Sequence, residues 1–148
     1  MRISGLPAAV AKLSGGKENP CIRGTVKFYQ RPSGILVVAE VSGLPGNSTG
    51  FHGFHIHEGA ACGGKEFADS GSHFNPTKTS HPMHAGDLPP LLARNGRAYL
   101  AVLTDRFSIS DIIGRTVIVH SDPDDFHTQP SGNSGKKIAC GVICRAQG

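Results

Sequence analysis

Two histidines two residues apart, His55 and His57 in the run GFHIHEG, constrain this chain more than any other stretch. Along a β-strand, residues i and i+2 share a face, so the two imidazoles stand side by side while Phe54 and Ile56 point the other way. Downstream, GSHFNP brings His73, and SHPMHAGD brings His81, His84 and Asp87. Gly71, Pro76, Pro82, Gly86, Pro89 and Pro90 punctuate that segment too densely for the interior of a helix or strand. A loop that closes three imidazoles and a carboxylate around one point suits a tetrahedral ion with nitrogen and oxygen ligands, such as zinc.

Elsewhere the chain reads as short β-runs separated by turn residues. They are Ala8–Leu13, Ile22–Tyr29, Ile35–Val41, the histidine run, Arg97–Leu103, Thr116–His120 and Ile138–Arg145. The segment Asp105–Ile113 reads as loop and strand edge, because Ile109, Ile112 and Ile113 do not extend a helical face before Gly114. About eight short strands with no long helix imply an antiparallel sandwich or barrel. Two irregular stretches, 58–92 and 121–136, exceed the ~12–15 residues beyond which loops are usually functional or disordered. Both begin or end beside histidines, which favours function.

The length of 148 residues fits one domain, 1–148, large enough to bury roughly 70% of the surface its unfolded form exposes. Tryptophan is absent, so the core must come from Val, Ile, Leu, Ala and the seven Phe. A net charge of +4 is compatible with an anionic ligand. There is no long Lys/Arg run with interleaved aromatics, so nucleic acid is not an expected partner. No stretch is apolar for long enough to span a membrane, and residues 1–16 lack the apolar core of a secretory signal. With Met1 as the native start the expectation is a cytoplasmic protein; with a leader removed, it is a secreted or periplasmic one.

GFHIH, HFNP, HAGDL, GRTVIVH and ACGVI occur in one order from residue 53 to residue 143. In that order the chain closely resembles the copper/zinc superoxide dismutases, from about Pro7 to Cys144. That family is itself among the immunoglobulin-like sandwiches, so the resemblance implies an all-β, eight-stranded antiparallel Greek-key barrel or sandwich with two long functional loops. It also implies an oxidoreductase that disproportionates superoxide to dioxygen and hydrogen peroxide with copper and zinc as cofactors. Carried over by position, His55, His57, His73 and His120 match the copper ligands, and His73, His81, His84 and Asp87 the zinc ligands. His73 is the shared bridge, and it is expected to take up a proton when the copper is reduced. Asp124 matches the carboxylate that accepts hydrogen bonds from one histidine of each set; such outer partners fix ring orientation and tautomer.

The same resemblance pairs Cys62 with Cys140 in a disulfide. Cys21 and Cys144 are then expected as buried free thiols. His52 reads as a buried structural histidine turned away from the metals and hydrogen-bonded to backbone, and His127 as a surface residue. Lys137 stands where the family usually has an arginine that guides and orients the anion, and Lys136 beside it adds positive charge. The segment Glu58–Ala61 and the linker between His81 and His84 are short, which leaves open whether the chain pairs as a homodimer. Two other readings are a copper-delivery protein and a non-catalytic metal-binding domain of the same fold. Relatives of those kinds typically lack some copper ligands, and the intact set His55, His57 and His120 argues against both.

Overall fold

The computed structural model describes residues 2–146. Among them are β1 (Ala9–Gly15), β2 (Arg23–Arg31), β3 (Gly34–Ser42), β4 (Phe51–His52), β5 (Phe54–His57), β6 (Leu91–Leu92), β7 (Ala98–Thr104), β8 (Thr116–His120) and β9 (Lys137–Arg145). Seven strands form one antiparallel sheet in the order β5-β8-β9-β1-β2-β3-β7. The short pair β4–β6 stands apart from it. The architecture is the expected all-β Greek-key type, with one more β segment than the eight the sequence implied.

Period-two alternation builds the core. Ala9, Ala11 and Leu13 of β1 face inward with Val26 and Phe28 of β2, Val37 and Ala39 of β3, and Ala139 and Ile143 of β9. Phe28 and Phe54 are fully buried, and each such side chain contributes about 1.5–3 kcal/mol. In β5 and β8 the alternation disappears, because every residue from Phe54 to His57 and from Thr116 to His120 is buried. One face packs on the core through Phe54, Ile56, Val117 and Val119. The other carries His55, His57, Ile118 and His120, with His55 opposite Ile118 in the register. The two long loops cover that second face.

Three differences from the sequence reading have local causes. The stretch Phe51–His57 is two strands, split where Gly53 donates to the Asp122 carbonyl (2.9 Å) and accepts from His120 N–H (2.8 Å). Leu91–Leu92, expected to be irregular, pairs with β4. Residues Ile109–Ile112 form a single helical turn, α1, not loop and edge. Ser108 Oγ accepts from Asp111 N–H and Asp111 Oδ2 accepts from Ser108 N–H, a capping box that starts the helix, while Ile109 and Ile112 bury one turn apart.

Cys62 and Cys140 are joined in a disulfide, with Cα atoms 5.8 Å apart. Cys21 and Cys144 are free as expected, but both are exposed. Cys144 shares its strand face with Cys140 and Val142, opposite the core residues Ala139 and Ile143, and only Cys140 is covered by the disulfide-anchored loop. Cys21 lies in the connection between β1 and β2. Among the described residues no helix is long and apolar enough to cross a membrane.

Candidate metal centre

The first loop, 58–90, folds back along β5. Phe74 N–H donates to the Ile56 carbonyl and Ile56 N–H to the Gly86 carbonyl, each at 2.8 Å. His57 thereby pairs with His73, and His55 with Asp87. Gly86 is required by this approach, since a Cβ there would collide with the Ile56 carbonyl oxygen. The six histidines His55, His57, His73, His81, His84 and His120 all become buried, together with Asp87 and Asp124.

Their side chains gather into two overlapping groups, His55–His57–His73–His120 and His73–His81–His84–Asp87, with the candidate ligand atoms of each group within 4.8 Å of one another. In the first, His57 Nε2 and His120 Nε2 are 3.3 Å apart. In the second, His73 Nδ1 lies 2.8 Å from Asp87 Oδ1 and 3.2 Å from His84 Nδ1. His81 Nδ1 lies 3.0 Å from Asp87 Oδ2. His73 belongs to both groups.

Hydrogen bonds on the far side of four rings, His55, His57, His81 and His120, fix their tautomers. Asp124 accepts from His55 Nε2–H at 2.8 Å and from His81 Nε2–H at 2.7 Å, one on each carboxylate oxygen. The Gly71 carbonyl accepts from His57 Nδ1–H (2.8 Å) and the Gly135 carbonyl from His120 Nδ1–H (3.4 Å). Each of these rings therefore turns an unprotonated nitrogen toward the group it belongs to. His55 Nδ1, His73 Nε2 and His81 Nδ1 are buried and have no hydrogen-bond partner among the described residues. Orphaned polar atoms of this kind are costly. Lone pairs converging on one point are stabilised by a cation, so the donor set fits two metal ions sharing His73. The third close set, His55–His81–Asp124, is already satisfied by the two hydrogen bonds to Asp124.

At His55, His57, His84 and His120 burial disfavours the protonated ring. Burial, reinforced by neighbouring imidazoles, holds His55 and His57 well below the ordinary histidine value and lowers His120 to about 4. His84 is lowered mainly by burial. Burial alone would raise the Asp87 carboxyl, but the hydrogen bond from His73, together with the surrounding imidazoles, outweighs it and keeps the group low.

Lys137 opens β9 beside a cavity of about 510 Å³ that it lines with His57, His73, His84 and His120. Its ammonium is pinned, donating to Ser70 Oγ and the Gly71 carbonyl at 2.8 Å each and to the Phe67 carbonyl at 3.5 Å. Partial burial lowers its pKa. Lys136 faces a neighbouring cleft instead, 3.7 Å from Glu18 and 3.9 Å from Glu66. His52 is buried outside both groups and donates from Nδ1 to the His120 carbonyl at 2.9 Å, as expected. His127 is exposed, also as expected. The main-chain acceptors at Gly71 and Gly135 carry no side-chain signal and escaped the sequence reading. So did Gly132, whose φ is +74° and where any Cβ would collide with Asp124 Oδ1 and His81 Nε2.

A curled antiparallel sheet, with a loop histidine shared between two ligand groups laid against it, defines a β-barrel protein built for a pair of metal ions. The family described as copper/zinc superoxide dismutase (SODC) matches residues 22–143, and the chain belongs to that family. It is 36% identical over 132 residues to "Superoxide dismutase [Cu-Zn]" of Legionella pneumophila, covering 84% of this chain and 79% of that one. The structure of the Cu/Zn superoxide dismutase from Brucella abortus superposes with a TM-score of 0.77 at 28% identity, covering 90% of this chain and 98% of the other. A rat copper chaperone for superoxide dismutase is 33% identical across 99% of this chain, a match that covers 56% of the chaperone.

Proposed function

We propose that this chain, as one dismutase-like domain, converts two superoxide anions and two protons into one dioxygen and one hydrogen peroxide. The observation that carries the reading is His73, whose Nδ1 faces Asp87 and His84 while its Nε2, without a partner, belongs to the histidine-only group. His55, His57, His73 and His120 would hold copper, and His73, His81, His84 and Asp87 zinc. Copper supplies the one-electron redox chemistry, cycling between two oxidation states that a site of imidazoles accommodates.

The chain's own part is orientation and proton handling. Asp124, Gly71 and Gly135 hold His55, His81, His57 and His120 in single tautomers, so these four rings need no rearrangement of their protons. His73 Nε2 takes up a proton and returns it to the reduced product, while Nδ1 stays engaged with the zinc group. Lys137 places a positive charge on the cavity wall next to His57 and His120. A lysine ammonium has three N–H donors, and here each has an acceptor, so Lys137 attracts the anion by its field and does not clamp it. Electrostatic steering of this kind is well known in the family. The Cys62–Cys140 bridge is consistent with an oxidising compartment.

The chaperone-like reading is disfavoured by the complete set His55, His57 and His120. Metal analysis with a superoxide-decay assay tests the proposal. The loaded protein should hold one copper and one zinc per chain, and His120→Ala should lose dismutation while keeping zinc. Full activity in that variant would overturn the copper assignment.

A further inference from the structure

His81 is held by the second loop at both its ring and its main chain. The ring donates to Asp124, as described. The main chain is gripped by Gln129, whose Oε1 accepts from His81 N–H at 2.8 Å and whose Nε2 donates to the His81 carbonyl at 2.8 Å. The amide thus copies one rung of an antiparallel ladder with a side chain. Gln129 Nε2 also donates to the His127 carbonyl at 3.0 Å, which ties the clamp to its own loop. Among the described residues no other group bonds the His81 N–H or carbonyl. Residues 76–80 before it are exposed, and the next residue is Pro82, which has no N–H to donate.

We infer that Gln129 is a positioning residue for the His73–His81–His84–Asp87 group, fixing how deeply the His81 ring reaches toward Asp87. The inference rests on the zinc assignment above. An imidazole held at Nε2 alone can still pivot with its backbone. Two further hydrogen bonds at the α-carbon's flanking amides remove that freedom and leave the buried Nδ1 aimed at the ligand group, 3.0 Å from Asp87 Oδ2. Zinc affinity therefore depends on a residue of the second loop that touches no ligand atom. Outer partners of metal ligands typically change affinity by ~10–100-fold.

The test uses the full chain with zinc, and with cobalt(II) as a spectroscopic stand-in. Gln129→Met keeps the length and removes both hydrogen bonds. Gln129→Glu keeps the acceptor for His81 N–H and loses the donor. Thr128→Val is a loop control, since Thr128 Oγ1 donates to Asp125 and makes no contact with His81. Competition against a chromophoric chelator should show zinc weakened about 10–100-fold in Gln129→Met and by an intermediate amount in Gln129→Glu. The cobalt d–d bands should shift in Gln129→Met and remain unchanged in Thr128→Val. Zinc affinity within about twofold of wild type with an unchanged cobalt spectrum in Gln129→Met would overturn the inference. Equal losses in Gln129→Met and Thr128→Val would also overturn it, leaving only general loop stability. Undiminished zinc in Asp87→Ala would overturn the ligand assignment and the clamp with it.

Discussion

The two long loops serve one site in opposite ways. The first, 58–90, contributes His73, His81, His84 and Asp87, whose side chains enter the ligand groups directly. The second, 121–136, contributes no member of either four-residue group. It supplies acceptors instead: both oxygens of Asp124, the Gly135 carbonyl and the Gln129 amide. The first loop offers lone pairs to the ligand groups and only one ring acceptor, the Gly71 carbonyl; the second takes up the other N–H groups on the far side of the rings. The donors and the frame that aims them are thus largely separate parts, with Gly71 the one point where the first loop serves both.

If that division holds, a change in the first loop should be the most severe. Asp87→Ala deletes a proposed zinc ligand and should leave no zinc after dialysis against a chelator, with copper retained. Metal analysis of the two ions decides it, and loss of copper first would contradict the grouping.

Breaking the tie between the first loop and the sheet should come next. The Cys62–Cys140 bridge spans a sequence separation of 78, worth about 4–5 kcal/mol in the chain-entropy account. Thermal unfolding of the metal-free protein should therefore occur at clearly lower temperature under reducing conditions. Only two of the four thiols should react in the unfolded, unreduced chain, and four reactive thiols would remove the bridge.

The second loop should respond more gently and in both groups at once. Asp124→Asn sets an amide donor against one imidazole N–H, so copper and zinc affinity should each fall ~10–100-fold. Binding titrations that showed one metal untouched would break the view of Asp124 as a common frame.

The smallest effect belongs to Lys137. Its charge is retained relative to an arginine, but its three N–H groups are occupied by the first loop. Lys137→Arg should raise activity modestly by adding free donors. Lys137→Ala should lower activity by less than roughly tenfold, the low end of steering effects, and flatten its dependence on ionic strength. Equal rates and equal salt slopes in all three proteins would reduce Lys137 to a loop brace.

The donors were legible in the sequence because metal chemistry demands particular residue types. His55 and His57 declare their shared face by strand period, and the breaker-rich run after them could only be a loop. The frame was less legible for a physical reason. A main-chain carbonyl such as Gly71 or Gly135 looks the same at every position, and only tertiary contact selects it. Lys137 was readable as a charge but not as a pinned one, since its acceptors lie in residues 67–71. Exposure of Cys144 followed from strand parity, which was readable once the core face of β9 was known. The α1 turn was different: Ser108 and Asp111 stood at capping-box spacing, and weighing the apolar face alone hid that signal.

Gly132 has a consequence for anyone wishing to make this protein sturdier. Alanine in place of a loop glycine commonly stabilises by ~0.4–1 kcal/mol where the backbone permits, by thinning the unfolded ensemble. At position 132 the left-handed backbone resists any side chain, and the space a methyl group would need is filled by the Asp124 carboxylate and the His81 ring. Rigidity cannot be added there without displacing the oxygen that keeps two histidines in register. Alanine is excluded at that point, and stabilising glycine replacements must be sought elsewhere in the chain.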